Sequence, residues 1–340
     1  MEVARTKTNM KEEEGNHFEF FKIYSHICKI FGCFPIKFQP DSTVVSFGKV
    51  ATLYAVIMAV VYSLSTFDGL KALTVWCQRQ NCSMSDTILL FPQSIATGIS
   101  DIIIHLTSLL YCHKLMELTQ LLRKSDSARE GRSTLDIAIY VGLLLNGLHA
   151  VAYKTVIVTW YGTQTFSAFC DNSSTCQDIG IFLSKMCLNL WHRGAILCAA
   201  TFVAIFGRRL VTALKKYCVE IKSAALQGGG HLEVAIGGNM NRAAGTTIFA
   251  SRASEIRAVA KMRDDFVELQ RGFSNFSVIA GLFSMAIVIE TMVQLYSLVW
   301  FALSLTSNVA QRGFDGMQTV MLLILLSIII ETGDYMRTEV

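Results

Sequence analysis

Four ionisable residues stand inside long apolar runs of this 340-residue chain: Asp101, His149, Arg193 and Glu290. A charge at the centre of a bilayer costs about 2.5 kcal/mol or more, and residues that bear it pair with one another or mark a functional pathway. All four fall near the middle of their runs, so they gather at one depth. Arg193 beside Glu290 or Asp101 would neutralise it without any ligand, and Asp101, Arg193 and Glu290 form the expected buried charge network. The alternative is a polar floor to a cavity that opens outward. Above that floor stand Tyr153 and Trp160, Phe182 and Met186, and Tyr296 and Trp300. The two Trp also suit interfacial anchoring, whereas Tyr153 and Tyr296 lie about two turns deep. The expected ligand-contacting set is therefore His149, Tyr153, Phe182, Met186 and Tyr296. HExxH, Gly-x-Ser-x-Gly, paired CxxC and nucleotide-binding fingerprints do not occur. No catalytic residue, metal site or cofactor is expected, and the chain does not read as an enzyme. His192, next to Arg193, reads as a bundle residue rather than a metal ligand.

The elements that must position these residues follow from composition. Apolar residues make up 52% of the chain and charged ones only 16%, against roughly 25% charged in a soluble domain. Too few polar side chains remain to wet a surface of this size, so the class is a membrane protein. A helix needs roughly 20 apolar residues to cross the bilayer core. Six stretches meet or approach that length: Val50 to Thr66, Thr87 to Leu110, Ile137 to Trp160, Ile179 to Gly207, Phe276 to Leu305 and Met317 to Ile330. The runs are continuous rather than alternating, which argues for helices over a barrel. The expected fold is an all-α, polytopic membrane helical bundle with six transmembrane helices.

Lys and Arg in the flanking loops set the orientation. The segment before the first helix holds seven, among them Lys22, Lys37 and Lys49, and the loop between helices two and three holds Lys114, Arg123, Lys124, Arg129 and Arg132. Eleven more lie between helices four and five. The loop from Tyr161 to Asp178 has none, and the other two loops have Lys71 with Arg79, and Arg312 alone. The alternation places the N-terminus in the cytoplasm. The net charge of +4 thus records topology and gives no reason to expect nucleic acid. Cys77, Cys82, Cys170 and Cys176 all fall in loops assigned to the oxidising exterior, where they can pair or stay single; four Cys allow three connectivities. The same two loops carry glycosylation sequons at Asn81 and Asn172. A third sequon, Asn275-Phe276-Ser277, is expected to face the cytoplasm and stay unmodified.

The chain then divides into a cytoplasmic N-terminal segment (1–47), helices one to four (48–207), a cytoplasmic region (208–273), helices five and six (274–332) and a cytoplasmic end (333–340). Residues 18–38 are too charged to span and read as an interfacial or packed helix ending at Gly32. Within the cytoplasmic region, Arg208 to Leu226 continues helix four. Gln227 to Thr247 is a Gly-rich flexible linker, and from Ser251 a helical period leads into helix five: Ile256, Val259, Met262, Phe266, Leu269, Phe273. Helices four and five are expected to project below the membrane as a partner-seeking pair.

Two stretches resemble the insect gustatory receptors. Asp264-Asp265-Phe266-Val267-Glu268-Leu269, followed by Phe273-Ser274-Asn275-Phe276-Ser277, is similar to the family's acidic-Leu helix leading into an Asn/Phe/Ser cluster before helix five. Ile30-Phe31-Gly32-Cys33-Phe34-Pro35 is similar to its Gly-x-x-Pro element ahead of helix one. The resemblance implies a taste receptor subunit in the plasma membrane of a sensory neuron. It would act as a ligand-gated, non-selective cation channel, a homo- or hetero-tetramer surrounded by membrane lipid. A small-molecule tastant would enter the outer half of the bundle, and the cytoplasmic extensions would join subunits. The related odorant receptors share the fold. A G-protein-coupled receptor is disfavoured by the inside N-terminus, and a transporter by the lack of internal repeats. The family also has a seventh, pore-lining helix with a terminal Thr-Tyr-x-x-x-x-x-Gln-Phe-like motif. Only six helices are read here before Val340, so the chain is expected to be a C-terminally truncated member.

Overall fold

In an apolar medium the backbone has no partner but itself, and a helix satisfies every N–H and C=O within its own segment. The computed structural model describes residues 24–38, 45–80, 84–125, 175–236, 244–303 and 309–339, and these are helical apart from one short ribbon. In chain order they form α1 (residues 24–30), β1 (Ile36–Phe38), β2 (Val45–Phe47), α2 (Lys49–Gln80), α3 (Met84–Leu110), α4 (Cys112–Ser125), α5 (Thr175–Ile236), α6 (Ala244–Leu303) and α7 (Val309–Glu339). The ribbon was not expected from the sequence. It is antiparallel, with Ile36 opposite Phe47 and Phe38 opposite Val45.

Four of these helices are long and apolar enough to cross a membrane: Lys49–Phe67, Trp191–Ser223, Val259–Val299 and Gln318–Thr338. A fifth crossing arises if Ile95–Leu110 and Cys112–Leu122, bent by 68° at their junction, form one broken span. The chain is thus a polytopic membrane helical bundle. Of the six expected crossings, Ile137 to Trp160 lies outside the described residues.

One helix holds the others. In the α5 span 83% of the residues are buried, against 17% in the α2 span. Gly194, Ala195, Cys198, Ala199, Ala200, Ala204 and Gly207 give α5 a narrow profile that neighbours approach closely. α2 instead lines the outside, where Val50, Leu53, Ile57, Val60, Leu64 and Phe67 are exposed, an arrangement that suits contact with lipid. Hydroxyls in the apolar helices bond the carbonyl four residues back, as Ser108 does to Ile104 at 2.8 Å and Thr291 to Ile287 at 2.7 Å.

Two parts differ from the sequence reading. The stretch after Leu110 was expected as a loop, yet α4 buries Leu115, Leu118, Leu121 and Leu122. Their spacing of three and four residues makes one apolar face, which the density of basic residues obscured. Nor does the Gly-rich stretch break the helices where expected. α5 runs through Gly228–Gly230 to Ile236, and α6 begins at Ala244 rather than Ser251. An established helix propagates residue by residue without a new nucleation cost, so glycines at its end need not stop it. Along the extensions α5 and α6 pair: Tyr217 donates its hydroxyl to Met262 O at 2.7 Å, and its ring stacks on Phe266 at 5.8 Å.

The segment before the first span packs into the bundle. Gly32 ends α1 at φ 71°, with Cys33 N–H bonded to Cys28 O at 2.8 Å and Gly32 N–H to Lys29 O at 3.1 Å. This is the Schellman geometry, which needs a residue free to adopt positive φ. Phe34 follows at φ 53°, an uncommon conformation for a bulky residue, and is held between Phe202 (5.4 Å) and Phe283 (5.7 Å). Tyr24 donates to Cys198 O at 2.9 Å, and Ile30 O accepts from Trp191 Nε1 (2.6 Å) and Tyr54 (2.9 Å). Burial pushes the Cys33 thiol well up, with Cys198 and then Asp101 adding to the effect. Cys218 is exposed. Maleimide treatment of the natively solubilised protein should therefore label Cys218 at least about tenfold faster than Cys33, because the thiolate and its access set the rate. Equal rates before unfolding would contradict the docked segment.

Candidate functional site: a buried polar junction

On α3, Thr97, Ser100, Asp101, His105 and Ser108 recur at three- and four-residue steps and share a face. On α6, Glu290, Gln294 and Ser297 do the same. α5 brings His192 between them. Its Nδ1 lies 2.7 Å from Asp101 Oδ1 and its Nε2 lies 3.4 Å from Glu290 Oε1. All three residues are 3% exposed or less. Ionised carboxylates only accept hydrogen bonds, so a ring facing one at each nitrogen donates from both and is an imidazolium. The short contact to Asp101 is the tight one.

Further contacts tie the same helices. Thr97 Oγ1 donates to the Glu290 carboxylate at 3.4 Å, and Ser100 Oγ to Ala286 O at 3.0 Å. Gln294 hydrogen-bonds Glu290, and Arg193, half-buried on the same turn as His192, lies within electrostatic reach of it. Among the described residues, two carboxylates, one imidazolium and one guanidinium sum to zero, which lowers the cost of burying them.

One turn beyond Asp101 on α3, His105 stacks on Tyr62 with ring centroids 4.8 Å apart, and its Nδ1 donates to Gly32 O at 3.3 Å. Four buried polar atoms around this column have no hydrogen-bond partner: Tyr62 Oη, His105 Nε2, Gln294 Oε1 and Ser297 Oγ. Below it the interior is aromatic. Phe202 contacts Phe206 (4.4 Å), Phe34 (5.4 Å), Phe283 (5.5 Å) and Phe276 (5.7 Å).

Of the expected charge network, Asp101 and Glu290 meet at His192, a residue outside the expected network. Read in the sequence as a bundle residue rather than a metal ligand, it shares the depth of its neighbour Arg193. Of the expected ligand contacts, Tyr296 is 41% exposed and lies off the face of α6 that carries Glu290. Six residues beyond Glu290 it is turned about 120° away on the helix, whereas Gln294 and Ser297 stay on the inner face. Both carry polar side chains at helical spacing from Glu290, and that spacing was the signal available. His149 and Tyr153 lie outside the described residues, as do Cys82, Cys170, Asn81 and Asn172. Phe182, Met186 and Cys176 fall on α5, and Cys77 on α2, where the backbone alone is described. Asn275 is buried, and its amide donates to Glu117 at 3.0 Å. Among the described residues no group of three or more His, Cys, Asp or Glu could hold a metal ion.

The chain matches no protein-family model, and no curated protein matches it.

Proposed function

We propose that the chain is a chemosensory receptor subunit of the insect gustatory-receptor kind, acting as a ligand-gated, non-selective cation channel in the plasma membrane of a sensory neuron. One observation carries the reading most. The two stretches that resemble the family lie more than two hundred residues apart, yet both reach the same aromatic residue: Phe34 of the first and Phe276 of the second each contact Phe202. Stretches that resemble a family and also pack together are better explained as one structural unit than as two chance similarities. The paired lower ends of α5 and α6, joined through Tyr217, would lead into the cytoplasmic surface by which subunits assemble into a tetramer. A small-molecule tastant would enter the outer half of the bundle, above His192.

Topology and activity test the proposal separately. In cells expressing the chain, an N-terminal tag should be hidden until the membrane is permeabilised, and Asn172 should carry a glycan. A tag exposed on intact cells with Asn172 unmodified sinks the channel topology. Whole-cell recording, with the chain alone and with other receptor subunits, should then show tastant-evoked cation current. Silence in every combination against sugars, bitter compounds and carbon dioxide would sink the receptor reading.

A further inference from the structure

We propose that Asp101, His192 and Glu290 form a proton-binding latch reached from the outer side of the membrane, so that external acid is itself a ligand of this protein. The access route rests on the orientation proposed above; the latch does not.

The geometry supplies a closed lower side and a polar upper one. Below His192 the interior is sealed by Phe34, Phe202 and Phe283 and by α1 docked against α5. Above it, Gln294 Oε1 and Ser297 Oγ are buried without partners on the face of α6 that carries Glu290. Buried polar atoms in native proteins are almost always satisfied by protein or by water, and a site lined by several of them is polar enough to hold water. Ser297 is seven residues beyond Glu290, about 10 Å along the helix. That covers most of the roughly 15 Å from the midplane of the bilayer core to its edge. Water held at Ser297 and Gln294 would bring the Glu290 carboxylate into contact with the outer side.

A proton arriving as hydronium bonds to a carboxylate oxygen of Glu290 or Asp101, and the water that carried it departs. The carboxylic acid formed is neutral. His192 then keeps one anionic partner instead of two, and the described groups of the junction pass from zero net charge to a net charge of plus one. Burying that charge is costly, so acid favours separation of α3, α5 and α6. Among the described residues, the titratable and charged groups facing the latch are Tyr62 from α2, His105 from α3, Arg193 from α5 and Cys33 from the segment after α1. Glu117 on α4 is engaged by Asn275, fifteen residues and about 22 Å of helix below Glu290. On α7, Glu331 and Asp334 are exposed.

The test uses the full chain in lipid nanodiscs, which admit acid from both sides. The opened junction takes up a proton that the closed one does not hold, so the thermal midpoint should fall as pH falls. A loss of at least about 5 °C on acidification is expected, given the size of buried-pair effects and their translation into melting temperature. The acid-dependent part should fall by about half or more in Glu290→Gln and in Asp101→Asn, each of which keeps the side-chain shape, and vanish when the two are combined. Either variant decides the matter if the other does not fold. An acid response unchanged in the folded variants, or absent from the natural chain, overturns the latch. Access is read in Ser297→Cys with a membrane-impermeant thiosulfonate applied to intact cells, the adduct being located at position 297 by mass spectrometry. Labelling from outside is expected. Labelling only after permeabilisation overturns the outward route together with the proposed orientation, and leaves the nanodisc result to judge the latch alone.

Discussion

Replacing His192 by Ala should destabilise the protein by about 3–5 kcal/mol, measured as unfolding in one fixed detergent. His192 is the cation between Asp101 Oδ1 at 2.7 Å and Glu290 Oε1 at 3.4 Å. Its loss leaves two buried carboxylates with Arg193 as the neighbouring positive charge, and removing one member of a buried ion network costs about that much. An ordinary interhelical hydrogen bond in a membrane contributes only about 0.6 kcal/mol, so the magnitude separates an ion network from a neutral polar contact. The contrast comes from the triple variant Asp101→Leu, His192→Leu, Glu290→Leu. Buried ion groups replaced together by apolar residues often leave stability unchanged or improved, and the triple variant should sit within about 1 kcal/mol of the natural chain. A single substitution no worse than the triple one would mean that the three residues do not act as a charged unit.

The second large effect is expected at Gly194. Ala is the best helix former, and Gly→Ala in a helix ordinarily gains up to about 1 kcal/mol. Here the added Cβ would fall on the ring of Phe31, which the helix end at Gly32 holds in place. Overpacking a fitted contact costs about 1–3 kcal/mol, so the net sign reverses and Gly194→Ala should destabilise. It should also free the N-terminal segment, raising the reactivity of Cys33 toward maleimide. Phe31→Ala combined with Gly194→Ala should restore much of the loss, because the two changes compensate across one contact. Simple additivity of the two variants would argue that Phe31 does not dock there.

These two sites differ in how far the sequence exposed them. The spans were legible because an uncharged run of sufficient length has few other uses: Val50 to Thr66 became the crossing Lys49–Phe67, and the run to Leu110 ended where α3 ends. The end of the N-terminal helix at Gly32 was legible too, since Gly is the residue that such an end needs. The acidic members of the junction stood out as charges in apolar surroundings. What the sequence hid was rotation and contact. Nothing in the runs told that α5 would be the central helix, or that Tyr296 would turn outward while Ser297 turned inward. Nor could the spacing show that His192, rather than its neighbour Arg193, would stand between Asp101 and Glu290. Those outcomes depend on which helix lies opposite, a long-range property with no local signature. The apolar face of α4 was present in the sequence, but a cluster of Lys and Arg made the stretch read as a loop.

The docking of α1 has a consequence for how the chain is made. Tyr24 bonds to a carbonyl 174 residues further along, and Phe34 packs against Phe283. At about 5–20 residues per second, the ribosome needs on the order of ten seconds or more after Tyr24 emerges before Cys198 exists. This segment therefore waits, with Phe31 and Phe34 unsheltered, until α5 and α6 have been made. Docking of this segment thus follows the synthesis of the two helices that receive it, although it precedes them in the chain.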